Sequence, residues 1–291
     1  DPDNATLSLA SPFASAFGNP AITSGATTSL TPIAQTTAVS GTLQVTDGSF
    51  PAGVVGLFLG TTGNDTAIAP NPTAPHAMYG FGGSDTLTGG AAADSIFGGA
   101  GADTLSGSAG NDTFYLANGD FASGESIDGG ADTDAIVLTN ATSVNFTSGT
   151  VSNVETLTGS SGSDTITMSA PQWAGFSTIN LGGGTNVLNV VASGDISAQP
   201  TPTISNVTTG NLTGTSGDDT MTLTGAQLDA IVVGAGTINL GTGTDTINLA
   251  STSADLNTLG ATNASIQGVE AISAISAASG PLLLVLGSVS A

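Results

Sequence analysis

From Gly80 to Tyr115 the chain repeats a nine-residue pattern: "GFGGSDTLT", "GGAAADSIF", "GGAGADTLS", "GSAGNDTFY". Each unit has an apolar residue at its eighth place, Leu87, Ile96, Leu105 and Phe114, and an aspartate at its sixth, among mostly small residues and glycine. One apolar residue flanked by small polar ones is strand periodicity, and the glycine pairs before it are turn signals. The pattern predicts short strands joined by tight turns. "GTTGNDTAI", from Gly60 to Ile68, is an outlying copy, set apart by the proline-rich insertion "APNPTAPHAMY".

A longer repeat follows. "LTGSSGSDTITM" begins at Leu157 and "LTGTSGDDTMTL" at Leu212; "STINLGGGTNVLNV" in the first copy matches "GTINLGTGTDTINL" in the second. Each long unit is preceded by a similar hinge, "VSNVETL" or "ISNVTTGNL", and "IQGVEAI" opens a third copy. Alternation of apolar residues with Thr and Asn again predicts strands. Residues 1–59 carry no repeat; "ATLSLA", "GTLQVTD" and "GVVGLFLG" read as strands of an N-terminal β cap or subdomain. The expected organisation is a cap over 1–59, a nonapeptide block over 60–137, and a degenerate long-repeat solenoid over 138–291, all of it β.

Composition sharpens this picture. Twenty-two acidic residues face no Lys or Arg, for a formal charge of −22, and only Glu125, Glu155 and Glu270 are glutamates. A chain of Asp, Gly, Thr, Ser and Ala argues against helices. Nucleic acid and anionic membrane surfaces are excluded as partners, since both need a basic patch. The absence of cysteine excludes disulfides and thiolate chemistry. "PLLLVLG" is far shorter than the roughly 20 residues of a membrane-spanning helix, so no membrane span is expected. A signal peptide of the usual kind would need a positive n-region, and a start at Asp1 suggests removal of an upstream segment. Without Lys or Arg the chain offers trypsin no site, which fits durability outside the cell.

Repeating aspartates on a stack pose an electrostatic problem. Two carboxylates about 5 Å apart repel by roughly 3 kcal/mol at an effective dielectric near 20. A hard dication removes it. The glycine-rich loop can adopt φ > 0 and turn carbonyl oxygens inward, the Asp adds a carboxylate, and an all-oxygen cage suits Ca²⁺. A single His and no Cys exclude the usual zinc cages. Two nonapeptides make one coil of 18 residues, placing Asp85 beside Asp103 and Asp94 beside Asp112, with Leu87 on Leu105 and Ile96 on Phe114. A metal-free stack is expected to be marginal or unfolded.

These units resemble the RTX (repeats-in-toxin) family, whose motif is GGxGxD followed by x-apolar-x. The resemblance implies a right-handed parallel β-roll with several Ca²⁺ ions in its turns. It implies Asp85, Asp94, Asp103 and Asp112 as ligands, with Asp65 in the outlying copy, and Gly89, Gly98, Gly101, Gly107 and Gly110 as turn residues that present carbonyls. Ala92 stands where a turn glycine is expected. The long units resemble the degenerate repeats of bacterial surface-layer and adhesin proteins. There Asp134, Asp164, Asp219 and Asp245 are either ion ligands or Asx-turn residues bonding their own backbone; Asn186 replaces the Asp in "LGGGTNVLN". The tail "ISAISAASGPLLLVLGSVSA" is similar to the C-terminal signals of type I secretion, and would also serve as a closing strand.

No enzyme is expected. His76, the sole histidine, reads as a solvated loop residue, Trp173 as packing, and the aspartates are absorbed by the turns. The expected function is a secreted, extracellular or cell-surface structural protein that assembles with itself into a layer or filament when calcium is present, with a possible surface anchor. The alternative is a monomeric calcium-stabilised module of a larger adhesin or secreted enzyme. A flat Thr face for glycans or ice would need regular outward Thr ranks, which the long units lack.

Overall fold

The structure, a computed structural model, describes residues 43–45, 56–69, 72–251 and 266–274. Their strands wind into a β-solenoid of about nine turns with little helix. All described strands pair in parallel except the first two, Leu43–Val45 and Gly56–Leu59, which are antiparallel. "ATLSLA" and most of the C-terminal tail lie outside the described residues.

The nonapeptide block forms the expected two-sheet roll. The chain alternates between one sheet (Gly56–Leu59, His76–Gly82, Ser95–Ala100, Thr113–Leu116, Ala135–Leu138) and another (Thr66–Ile68, Thr86–Thr88, Thr104–Ala109, Ser126–Ala131). Leu87 pairs in register with Leu105, and Ile96 with Phe114. All four are fully buried. With one inward side chain per short strand, the core of each coil is a single layer that stacks on its neighbours.

The solenoid then changes sheets twice. At Ser143–Ser152 the second sheet ends and a third begins, running through Thr165–Ser169, Val187–Val191 and Thr209–Thr213. At Gly194–Ser205 the first sheet ends in turn and a fourth takes over, with Thr220–Leu223, Thr246–Leu249 and Ala271–Ala274. Matching turn residues lie 18 apart in the roll, 22 apart beyond it and 26 apart at Asp219.

The wider coils hold two short helices, against the expectation of none. Ala170–Gly175 is capped by Ser169 with Gln172, and Gly225–Ile231 by Thr224 with Gln227, each a full capping box. The signal was local, S-x-x-Q and T-x-x-Q, and chain-wide composition masked it. Trp173 and its repeat partner Leu228 are both fully buried, so the packing role holds. Each glutamine also ties its helix to the preceding coil: Gln172 Nε2 donates to the Phe146 carbonyl at 2.8 Å, and Gln227 Nε2 to that of Ile196 at 2.7 Å.

Candidate metal centre

The turn aspartates form ladders along the solenoid. The backbone N–H of Asp65 donates to Oδ1 of Asp85 at 2.7 Å, and that of Asp85 to Oδ1 of Asp103 at 2.8 Å. A second ladder runs from the His76 N–H to Asp94 (2.6 Å), from Asp94 to Asp112 (2.7 Å) and from Asp112 to Asp134 (2.8 Å). A third joins Thr142, Asp164 and Asn186, and a fourth Asp219 and Asp245. Every one of these aspartates is buried. His76 is correspondingly not a solvated loop residue. It is 5% exposed, opens a strand, and sets Nδ1 3.3 Å from Asp94 Oδ1.

Oδ2, the other oxygen, divides the turns into two kinds. In one kind the protein closes its own turn: Oδ2 of Asp65, Asp94, Asp164 and Asp219 accepts the N–H of the residue four places earlier, Thr61, Gly90, Ser160 or Thr215. Three of those residues add a hydroxyl donor to the same oxygen. In the other kind, Oδ2 of Asp85, Asp103, Asp112, Asp134 and Asp245 is buried with no hydrogen-bond partner.

Backbone conformation separates the same two sets. Each open turn has left-handed residues four and two places before its Asp: Phe81 and Gly83, Gly99 and Gly101, Ser108 and Gly110, Gly130 and Asp132, Gly241 and Gly243. The closed turns have none. In these turns no N–H from the residue four places earlier reaches Oδ2, which is left without a donor. The Ala92 turn belongs to the closed set; the proline-rich insertion packs on it, with the Ala91 N–H donating to the Pro72 carbonyl. Of the expected turn glycines, Gly101 and Gly110 supply left-handed geometry, whereas Gly89, Gly98 and Gly107 lie against the carboxylates, where a Cβ would collide with Oδ2.

Sequence reasoning missed what ends the ladders. Glu125 Oε2 accepts the Asp103 N–H at 2.9 Å, Glu155 Oε2 that of Asp134 at 2.8 Å, and Glu270 Oε2 that of Asp245 at 2.6 Å. All three glutamates of the chain therefore do one job. The signal was present: E-S-I, E-T-L and E-A-I repeat the D-x-apolar ending of the nonapeptides. The hinge residues Asn153, Asn206 and Gly268 are each left-handed, with φ of 52°, 57° and 57°. Each starts a shorter turn, and at Asn153 and Gly268 the longer Glu side chain spans the difference.

Electrostatics follows from burial. Desolvation pushes the Asp103 carboxyl up to about 6 and Asp112 up to about 7, with Asp85 and Asp94 respectively adding repulsion against the help of their N–H groups. Glu125 is pushed up to about 8, again by burial first. Asp85 and Asp134 are raised for the same cause. These groups resist ionisation where nothing positive faces them.

The donors fit a hard cation. A Cβ built on Gly80 would meet the Asp85 carboxylate and the Gly98 carbonyl, and one on Gly107 the Asp112 carboxylate and the Gly129 carbonyl. Carboxylate and carbonyl oxygens thus converge without a hydrogen between them, which a cation satisfies and a neighbouring acceptor cannot. Among the described residues no three His, Asp or Glu side chains converge on one point, so such a cage is carbonyl-rich.

The chain is thus a parallel β-solenoid, consistent with a β-roll, whose turns are lined by carboxylate and carbonyl oxygens. Residues 79–114 match the model of the RTX calcium-binding nonapeptide repeat, in four copies, and it is this block of the chain that carries the likeness. Such repeats form calcium-dependent structural modules of proteins typically secreted by bacteria. Comparison with curated proteins and with solved structures returned no match. No helix among the described residues is long and apolar enough to cross a membrane.

Proposed function

We propose that the chain is a secreted, non-catalytic structural protein whose solenoid is completed by calcium outside the cell and then assembles with copies of itself into a layer or filament. The observation that carries the calcium step is the set of five buried Oδ2 atoms without partners, all in turns of one backbone geometry. Asp85, Asp103, Asp112, Asp134 and Asp245 are the carboxylates we assign to ions, with the backbone carbonyls of their turns and of the next coil. At the roughly 10⁻⁴ M affinity of extracellular modules, sites stay empty in a cytosol and fill outside it. Each site at about 100 times its Kd then adds roughly 2.7 kcal/mol.

Self-assembly draws support from the architecture: a parallel solenoid ends in strands whose outer edges can pair. The second reading, a monomeric stabilising module of a larger secreted protein, is favoured by a different observation. Among the described residues Ile68 and Phe81 are the large hydrophobic side chains left exposed, too few for an apolar interface patch. Calcium titration followed by far-ultraviolet circular dichroism and light scattering separates the two. Growth of β-signal and particle size together, both reversed by chelator, supports assembly; growth of β-signal in a particle that stays monomeric supports the module. If neither signal moves, the calcium reading itself is lost.

A further inference from the structure

We infer that Asn186 stands in for a bound cation, so that its turn is a cation site replaced by a side-chain amide. The inference rests on the calcium reading of the open turns. Asn186 sits in "NLGGGTN", and its partner in the next long repeat is Asp245 in "NLGTGTD". The two turns are built alike. Gly182 and Gly184 are left-handed, as are Gly241 and Gly243. The Gly182 N–H donates to Asn180 Oδ1 at 3.1 Å, and the Gly241 N–H to Asn239 Oδ1 at 3.1 Å. In both, the donor that closes the other turns is thereby engaged elsewhere. Both side chains accept the preceding ladder N–H, from Asp164 at 2.9 Å and from Asp219 at 2.8 Å. Both residues are fully buried.

They differ at one atom. Asp245 presents an Oδ2 that has no partner. Asn186 presents Nδ2, which lies 3.0 Å from the Leu181 carbonyl, 2.9 Å from that of Gly183 and 2.8 Å from that of Asn206. Two amide hydrogens are shared among three carbonyl oxygens from two successive coils. The amide orientation is fixed by this network, because the reverse would set Oδ1 among three acceptors. By position, the corresponding carbonyls around Asp245 are those of Leu240, Thr242 and Gly268. What Asn186 displays is therefore the carbonyl cage of an open turn, held by hydrogen-bond donors instead of positive charge. An asparagine at this place makes one coil independent of calcium at the cost of one ion.

The test is to count calcium bound at saturation by equilibrium dialysis, and to record melting in chelator and in calcium, for the unaltered chain, Asn186→Asp and Asp245→Asn. Asn186→Asp is expected to bind one ion more than the unaltered chain and to melt several degrees lower in chelator, a deficit that calcium removes. Asp245→Asn is expected to bind one ion fewer and to melt no lower in chelator. If the unaltered chain binds calcium and Asn186→Asp binds the same number, the amide is not an ion's replacement. Should Asn186→Asp fail to fold, Asp245→Asn decides through its melting in chelator: a melting point no lower than the unaltered chain's supports the inference and a lower one overturns it, while its ion count tests the reading of the open turns. If the unaltered chain binds no calcium, the failure lies in the reading of the open turns.

Discussion

At the scale of single residues, the carboxyls of Asp103, Asp112 and Glu125 are held protonatable far above their ordinary range, at about 6, 7 and 8. Because these folded values exceed the unfolded ones, their contribution to stability is fully present below about pH 4 and is lost as pH rises through 6 to 8. Without metal the protein is therefore expected to melt higher at pH 5 than at pH 8. Calcium competes with those protons, so the loaded protein should show the opposite trend and lose its gain on acidification. Melting curves in chelator and in calcium across this range check both signs. Since the whole chain also repels itself less near its isoelectric point, Glu125→Gln is the control: it should flatten the metal-free dependence between pH 7 and 8. A slope unchanged by that substitution would assign the effect to net charge.

The aspartates themselves were legible from spacing alone, because a nine-residue period brings Asp85 onto Asp103 whatever the details. Their division into open and closed turns was not. It tracks the residue four places earlier: Thr61, Ser160 and Thr215 offer a hydroxyl and stay outside the left-handed region, whereas Gly99, Gly130 and Gly241 lie within it. Phe81 and Ser108 lie there as well, and Gly90 does not, so residue type alone misassigns these three.

At the scale of the turn and the strand, left-handed backbone is demanded by the neighbouring coil. A Cβ on Gly101 (φ 140°) would overlap the Gly83 carbonyl of the coil beside it, while Gly119 (φ 94°) has open space around it. Gly119→Ala should cost only the conformational penalty, about 1–2 kcal/mol. Gly101→Ala adds overpacking between coils and should cost about 3 kcal/mol or more. Denaturant midpoints compare them, and equal losses would mean the coils can spread to admit a methyl group. Strands were readable from alternation because one inward residue per turn is enough to fix register. The helix after Met168 was not, since its signature is four residues long and sits within a strand-like repeat.

At the scale of the whole molecule, a solenoid couples each coil mainly to its neighbours, so local differences in turn closure become regional differences in stability. The block from Gly80 to Tyr115 has three open turns, and each narrow coil buries little besides its stacked aliphatic and phenyl residues. The block from Thr165 to Thr213 has its turns closed by Ser160 and Asn186, and its core gains Phe146, Trp173 and Phe176, all buried. The expectation that a metal-free stack is marginal therefore applies to the first block and not to the second. In chelator, hydrogen exchange should be fast in Thr86–Thr88, Ser95–Ala100, Thr104–Ala109 and Thr113–Leu116 while Thr165–Ser169, Val187–Val191 and Thr209–Thr213 stay protected. Calcium should slow exchange in the first group by orders of magnitude and leave the second nearly unchanged. Equal protection gained in both blocks would show that the solenoid folds as one cooperative unit, with the protein-closed turns no more self-sufficient than the open ones. The predicted asymmetry has a physical use: a preformed middle segment gives the calcium-dependent coils a folded edge to pair against, so that filling the sites extends an existing sheet and avoids nucleating a new one.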